Sequence, residues 1–267
     1  MANYHLEVST ISRGKGQSVA KRTNYISGQR LRDSYTGKTY YDRRSDVLYF
    51  NVFLPRGAPP NFHNLQTLCD EIERAERRYD ARTAREFKGS LPNELPPCEL
   101  ILIVREFIEQ DFMDRGLCAI AAIHEGRNEA DPSGDNPHVH IIVPTRTVGT
   151  EGFCNRKYKE HDHRKYINIW REQWADVQNR AYKRNGLSIR VSHESLAVQG
   201  VRSREPTIHL SYADWQREKR GEHTRSGDRK REITERNRER ARQWQLEYER
   251  TLERYLEPKR ERNRERF

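Results

Sequence analysis

From Pro137 to Pro144 the chain reads PHVHIIVP, and this octapeptide constrains the fold more tightly than any other stretch. Alternate residues of a strand face opposite sides of a sheet. Val139, Ile141 and Val143 therefore predict an apolar face turned toward a core. His138 and His140 would stand side by side on the other face, an arrangement that calls for a chemical reason.

A third histidine sharpens the question. His124 closes the apolar run LCAIAAIHEG, which also predicts a strand. The connection EGRNEADPSGDN between the two runs is polar and rich in turn formers, so the strands are expected to pair as sequence neighbours commonly do. Their three imidazoles would then converge on the polar face. Three such ligands with open positions remaining make a metal site that can hold a substrate oxygen. In the opening run YHLEVSTISR, Tyr4, Leu6 and Val8 alternate with His5, Glu7 and Ser9, so Glu7 is a candidate to hydrogen-bond one imidazole from behind. The pair His161 and His163 in HDH opens a helix and reads as a cap or surface feature.

The composition splits the chain in two. From about Trp215 it is almost all charge, with Glu232–Arg236 and Glu239–Arg242 at spacings that support a solvated helix. Only Trp244, Tyr248, Leu252 and Tyr255 form an apolar stripe there. Earlier segments alternate between strand and helix patterns. GQSVAKRTNYISGQ reads as a short helix between glycines and VLYFNVFLP as an extended segment. NLQTLCDEIERAERRYDARTAREF places Leu65, Leu68, Ile72, Ala75 and Tyr79 at helical spacing, ELILIVREFIEQDFMDRG is a helix ending at Gly116, and KYINIWREQWADVQNRAYKRNG is strongly amphipathic. The expected fold is α+β, a five-stranded antiparallel sheet with helices packed on one face. It would occupy residues 1–212, and 213–267 would be a charged, largely helical extension or linker.

The formal charge of +10 and a pI near 9.5 suggest a polyanionic partner, nucleic acid first. No run approaches the roughly 20 apolar residues that span a bilayer, and MANYHLEVSTISR has no secretory core, so a cytoplasmic protein without membrane insertion is expected. The four cysteines, Cys69, Cys98, Cys118 and Cys154, are scattered without a zinc or disulfide pattern.

YHLEVSTISRGKGQSVAKRTNYISG, then AIHEG, NPHVHIIV and WREQWADVQNRAYKRNGLSIRVSHESLAVQG occur in an order that resembles the relaxases of the MobA/MobL family, within the HUH endonuclease group. The resemblance covers most of residues 1–212 and leaves out the charged tail. It implies an enzyme that nicks one strand of DNA at an origin of transfer, a tyrosine attacking the phosphorus and remaining joined to the 5′ phosphate. It also implies Tyr25 as nucleophile, with Tyr40 and Tyr41 as rivals, and His124, His138 and His140 as ligands of a divalent ion, Mg²⁺ or Mn²⁺ foremost and Zn²⁺ admitted by the donor set. Single-stranded DNA, accessory mobilisation proteins and a conjugative coupling protein would be the partners.

A tyrosine hydroxyl with an ordinary pKa near 10 needs such help, and neutral imidazoles leave the ion's charge intact to meet a phosphate. The chain departs from the family in REFKGSLPNEL, where Glu86 is present but Lys88 stands at an expected acid. Glu86 is thus a candidate base or orienting group. Arg13, Lys15, Gln17, Lys21, Arg22 and Asn24 flank Tyr25, and Arg146 follows the histidine strand; these are the candidate DNA contacts. Competing readings are an HUH replication initiator or transposase, a non-catalytic DNA-binding protein with a structural metal, and a nuclease that activates water.

Overall fold

The computed structural model describes residues 4–127 and 135–264, with side chains undescribed at 212 and 255–264. Two compact units divide the chain, residues 1–193 and 194–267.

The first unit is built on a five-stranded antiparallel sheet. Its strands are β1 (Leu6–Ser12), β4 (Val47–Phe53), β5 (Arg82–Ser90), β6 (Ala119–His124) and β7 (His138–Pro144), in the order β1-β5-β7-β6-β4. The β6–β7 hairpin forms as its sequence predicts, with His124 directly opposite His138. The five-stranded antiparallel α+β architecture expected from sequence is the observed one.

One face of this sheet carries the larger core. Phe87, Ala121, Ile123, Val139, Ile141 and Val143 meet α3 (Pro97–Asp111) and α4 (Lys165–Arg184). Trp170 and Trp174 of α4 are almost wholly buried there, each removing on the order of 2–3 kcal/mol of apolar surface from water. Trp174 rests directly on β5 because residue 89 is glycine; a Cβ at Gly89 would lie 2.7 Å from the indole.

The expectation of helices on one face holds for α3 and α4, but the opposite face is also partly covered. There α1 (Val19–Ser27) and α2 (Leu65–Arg74) pack Val19, Ile26, Leu68 and Ile72 onto Ala84, Ile120, Ala122 and Ile142. Ile142, two residues beyond His140 and so on the same face, supplies apolar surface that α1 and α2 need. The histidines share this half-covered face.

The helix expected through Tyr79 ends at Arg74, and RTAREFKGS is the interior strand β5. Two of its charges are buried, each with a partner: Arg85 pairs with Asp162, and Glu86 pairs with Arg22 and His140. Two small ribbons complete the unit: β2 (Leu31–Arg32) with β3 (Thr39–Tyr40), and β8 (Arg146–Gly149) with β9 (Gly152–Lys157).

The second unit contains α5 (Tyr212–Lys219) and the 40-residue α6 (Arg225–Arg264). Both expected ion pairs form on α6, Glu232–Arg236 at 4.0 Å and Glu239–Arg242 at 3.7 Å. Glu205 accepts from Arg236 and Arg240 and so clips the preceding segment to the helix. Trp244 and Tyr248 stack on each other and stay exposed. No helix among the described residues is long and apolar enough to cross a membrane.

Candidate metal centre and nucleophile

The hairpin register gathers the three imidazoles. His124, His138 and His140 have ring centroids 5.0–5.3 Å apart, and one ring nitrogen from each lies within 4.8 Å of the others. The remaining ring nitrogens are all engaged. His124 Nε2 bonds to the Ile26 carbonyl at 2.9 Å, His138 Nδ1 to the Asn136 carbonyl at 2.8 Å, and His140 Nδ1 to Glu86 Oε1 at 3.1 Å. A carbonyl or carboxylate oxygen only accepts, so each engaged nitrogen carries the proton. The other nitrogen of each ring is then a bare lone pair. Those of His124 and His140 are buried with no hydrogen-bond partner.

A buried lone pair without a partner is costly. Two of them, with a third alongside, fit a divalent cation, and the backing acceptors are those that orient metal-binding histidines. Burial pulls all three rings below the ordinary histidine pKa; at His140 the Glu86 carboxylate opposes the fall. The rings are therefore neutral at neutral pH, the form that binds metal.

The same contacts position Tyr25. Ser18 caps α1 by accepting from the Lys21 amide, and Gly28 ends it in the left-handed region at φ 69°. A helix end leaves carbonyls unsatisfied, and His124 takes up that of Ile26. One hydrogen bond thus fixes the His124 tautomer and pins the helix turn that carries Tyr25. The Tyr25 ring sits 5.9 Å from that of His140 and 6.4 Å from that of His124, and it remains 41% exposed.

Two guanidinium groups face the Tyr25 ring, Arg22 at 5.6 Å and Arg44 at 4.6 Å. Arg44 is held in a two-pronged pair by Asp46, which its hydrogen bonds bring to a pKa of about 2. Arg44 also donates to the Tyr25 carbonyl at 3.3 Å. Sequence reasoning missed Arg44 and Asp46. Their segment YYDRRSD has no periodicity, and only the close approach of Gly28, whose Cβ would lie 3.3 Å from the Arg44 backbone, brings it to α1.

The other expected residues divide. Arg22 bonds to Glu86 and stays partly exposed. Lys15 and Lys21 are exposed. Glu86 is buried between Arg22 and His140; burial would raise its pKa, but the bonds from His140 and Arg22 outweigh that and lower it. Glu7 lies on the histidine face but on edge strand β1, opposite Lys88 and beyond β5. It is exposed, and Glu86 makes the contact anticipated for it.

Two candidate DNA contacts require correction. Arg13 is buried, paired with Glu73 at 2.6 Å and donating to the carbonyls of Glu73, Glu76 and Arg78. It closes the α2–β5 loop and has no donor left for phosphate. Arg146 pairs with Glu76 and donates to the Cys154 carbonyl, holding the β8–β9 ribbon. Gln17 is exposed, with its side-chain oxygen accepting from the Ser12 amide, and stays a candidate contact. His161 is also not the surface or capping residue expected. It is buried among Tyr158, Tyr166 and Trp170 and belongs to no metal-binding cluster among the described residues.

Among the described residues, Tyr25 is the one of the three rival tyrosines with a ring contact to His124 and His140.

A probable mobilization protein MobA of Bifidobacterium longum is 30% identical over 256 residues, an alignment covering 80% of this chain and 44% of that protein. The mobilization protein MobL of Acidithiobacillus ferridurans is also 30% identical, over 241 residues, covering 80% of this chain and 63% of that one. The chain thus spans less than two thirds of the length of either relative. A solved structure described as the molecular basis of vancomycin resistance transfer in Staphylococcus aureus aligns with a TM-score of 0.64 and 27% identity, covering 72% of this chain and 98% of that chain. The family described as MobA/MobL matches residues 17–220, a span that contains Tyr25, Arg44, Glu86 and all three convergent histidines. The chain belongs to the MobA/MobL family.

Proposed function

We propose that this chain is the nicking part of a plasmid mobilisation relaxase, a transesterase that cuts one DNA strand at an origin of transfer and keeps the end for rejoining. The observation that carries this reading is the exposed phenol of Tyr25 beside three imidazoles whose free lone pairs converge.

In the proposed reaction the Tyr25 oxygen bonds to the scissile phosphorus and the P–O3′ bond breaks. The O3′ atom leaves with its electron pair and takes up a proton, and the phenol gives one up. One phosphodiester replaces another, so the strand can be rejoined without an outside energy source. A divalent ion held by His124, His138 and His140, Mg²⁺ or Mn²⁺ with Zn²⁺ an alternative, supplies charge neutralisation at the phosphoryl oxygens.

The chain's own residues do the rest. Arg44, locked by Asp46, and Arg22, locked by Glu86, bring two fixed positive charges to the phenol where a phosphate would arrive. Glu86 already accepts from both Arg22 and His140, so it acts as a positioning residue and not as the base. Lys15 and Lys21 remain as exposed phosphate contacts. The proposed boundaries are a relaxase domain over 1–212 and a charged helical extension over 213–267. Single-stranded origin DNA is the substrate, with accessory mobilisation and coupling proteins as partners in a cytoplasmic setting.

The test uses an oligonucleotide from the transfer origin of the encoding plasmid, with Mg²⁺ or Mn²⁺. A covalent adduct should form, and mass spectrometry should find it on the peptide containing Tyr25. Tyr25→Phe should abolish the adduct while folding, ion binding and oligonucleotide affinity survive. An adduct on Tyr40 or Tyr41 would refute the nucleophile. Cleavage with no adduct would favour water attack, and binding with no cleavage would favour an accessory protein.

A further inference from the structure

The segment SYTGKTYYDRR, residues 34–44, contributes little to the core yet carries three tyrosines. Tyr35 is 52% exposed and Tyr41 56%; Tyr40 is partly exposed. Each ring has a cation set against it. The Arg13 guanidinium lies 4.0 Å from the Tyr35 centroid, the Lys21 ammonium 5.8 Å from Tyr40, and the Arg43 guanidinium 5.8 Å from Tyr41. Tyr25, with Arg22 and Arg44, repeats the pattern.

These rings are held, not loose. Asp33 closes the β2–β3 turn by accepting from the amides of Tyr35 and Thr36 and from the Thr36 hydroxyl. Arg43 donates to the Tyr41 hydroxyl at 3.1 Å. Lys21 and Tyr25 are four residues apart on α1 and so share one face of it. The Lys21–Tyr40 contact therefore brings the ribbon alongside the proposed nucleophile.

Exposed, oriented aromatic faces with cations interleaved match one kind of ligand. An unpaired nucleic-acid strand offers a π-face on every base and a phosphate between each pair of bases. A duplex hides its base faces, and an acidic protein surface has none to stack. We infer that Tyr35, Tyr40 and Tyr41 form a stacking track for single-stranded DNA leading to Tyr25, with Lys21 and Arg43 meeting its phosphates. The inference rests on the nicking reading for its substrate, but binding can be measured without cleavage.

The experiment uses the full chain in a Tyr25→Phe background with divalent ions chelated. Fluorescence anisotropy would compare a 20-nucleotide thymidine oligomer with an abasic oligomer of equal length and charge. Alanine at any one of the three tyrosines should weaken thymidine-oligomer binding by about fivefold or more, and Tyr40→Ala with Tyr41→Ala by more than either alone. The salt dependence should stay the same, because a tyrosine releases no counterions. Tyr40→Phe should bind like the parent, since the ring is kept. Abasic-oligomer binding should not change. Parent-like affinity in the double alanine variant would overturn the track, as would an equal loss on both oligomers or a loss in Tyr40→Phe. Because no step depends on an adduct, failure here and failure of the Tyr25 chemistry are separate results.

Discussion

Replacing Glu86 tests whether the three imidazoles form a metal centre. Glu86 Oε1 accepts from His140 Nδ1 at 3.1 Å inside a site where the carboxylate residue is 4% exposed. That bond keeps the proton on Nδ1 and the lone pair on Nε2. Partners of this kind are typically worth about 10- to 100-fold in metal affinity. Glu86→Gln keeps the size and an acceptor oxygen, so the tautomer survives and only the charge behind the ring is lost. The expected loss is near the lower limit, about tenfold or roughly 1.4 kcal/mol. Glu86→Ala removes the acceptor and strands the Arg22 guanidinium, so a loss nearer 100-fold is expected, roughly 2.7 kcal/mol. Titration calorimetry with Mn²⁺ on metal-free protein measures both, with the melting temperature in chelator as a control for folding. The pH profile gives a second reading. Burial holds the three ring pKa values below the ordinary histidine value of about 6.5. Ion affinity should therefore be flat above neutrality and fall in acid, as protons compete for the lone pairs. Glu86 favours the protonated form of His140, so Glu86→Gln should move that fall to lower pH. Wild-type Mn²⁺ affinity in Glu86→Ala would refute the lone-pair argument.

Two further outcomes concern stability. Arg13→Ala leaves the Glu73 carboxylate buried without its cation and should cost about 3–5 kcal/mol in urea unfolding, with the salt dependence of oligonucleotide binding unchanged; unchanged stability with a salt slope lower by about one would restore Arg13 as a phosphate contact. The Asp111 carboxyl is pushed up to about 7 by burial, against the attraction of Arg115 and a hydrogen bond from Gln173. An acid whose folded pKa is raised opposes folding increasingly between its unfolded value near 4 and its folded value near 7, and fully above that. Asp111→Asn should accordingly stabilise the protein at pH 8, by at most about 4 kcal/mol, and have no such effect at pH 4. A melting-temperature series across that range checks it, and an equal gain at both ends would exclude titration as the cause.

The parts of this fold that were legible in sequence are periodic and local. Alternation exposed β7 and the shared face of His138 and His140, an apolar run followed by a polar turn exposed the β6–β7 pairing, and a helical stripe exposed α4 with Trp170 and Trp174. What escaped was pairwise and distant. The first residues of β5 read as the end of a helix, because Arg85 and Glu86 find their partners at Asp162, Arg22 and His140, far away in the chain. Arg13 looks like a DNA contact for the same reason, since Glu73 is 60 residues on. Among basic residues near a phosphate-handling site, sequence cannot separate the free from the paired, so it names the buried Arg13 and passes over Arg44 beside Tyr25.

Lys88 shows the reverse case, where a residue that departs from the sequence expectation has a physical account. It is exposed on the histidine face of β5, between Glu7 on one neighbouring strand and His140 on the other. An acid there would favour protonation of His138 and His140 and compete with phosphate for the cation. A lysine does the opposite: its charge lowers the pKa of both rings, although less than burial does, and so keeps their lone pairs free. The orienting acid is supplied two residues earlier, by Glu86 on the same face of the same strand, where burial between Arg22 and His140 directs it at the ring. The strand therefore needs one carboxylate beneath the imidazoles and tolerates a cation beside them, and moving the acid from 86 to 88 would lose both effects.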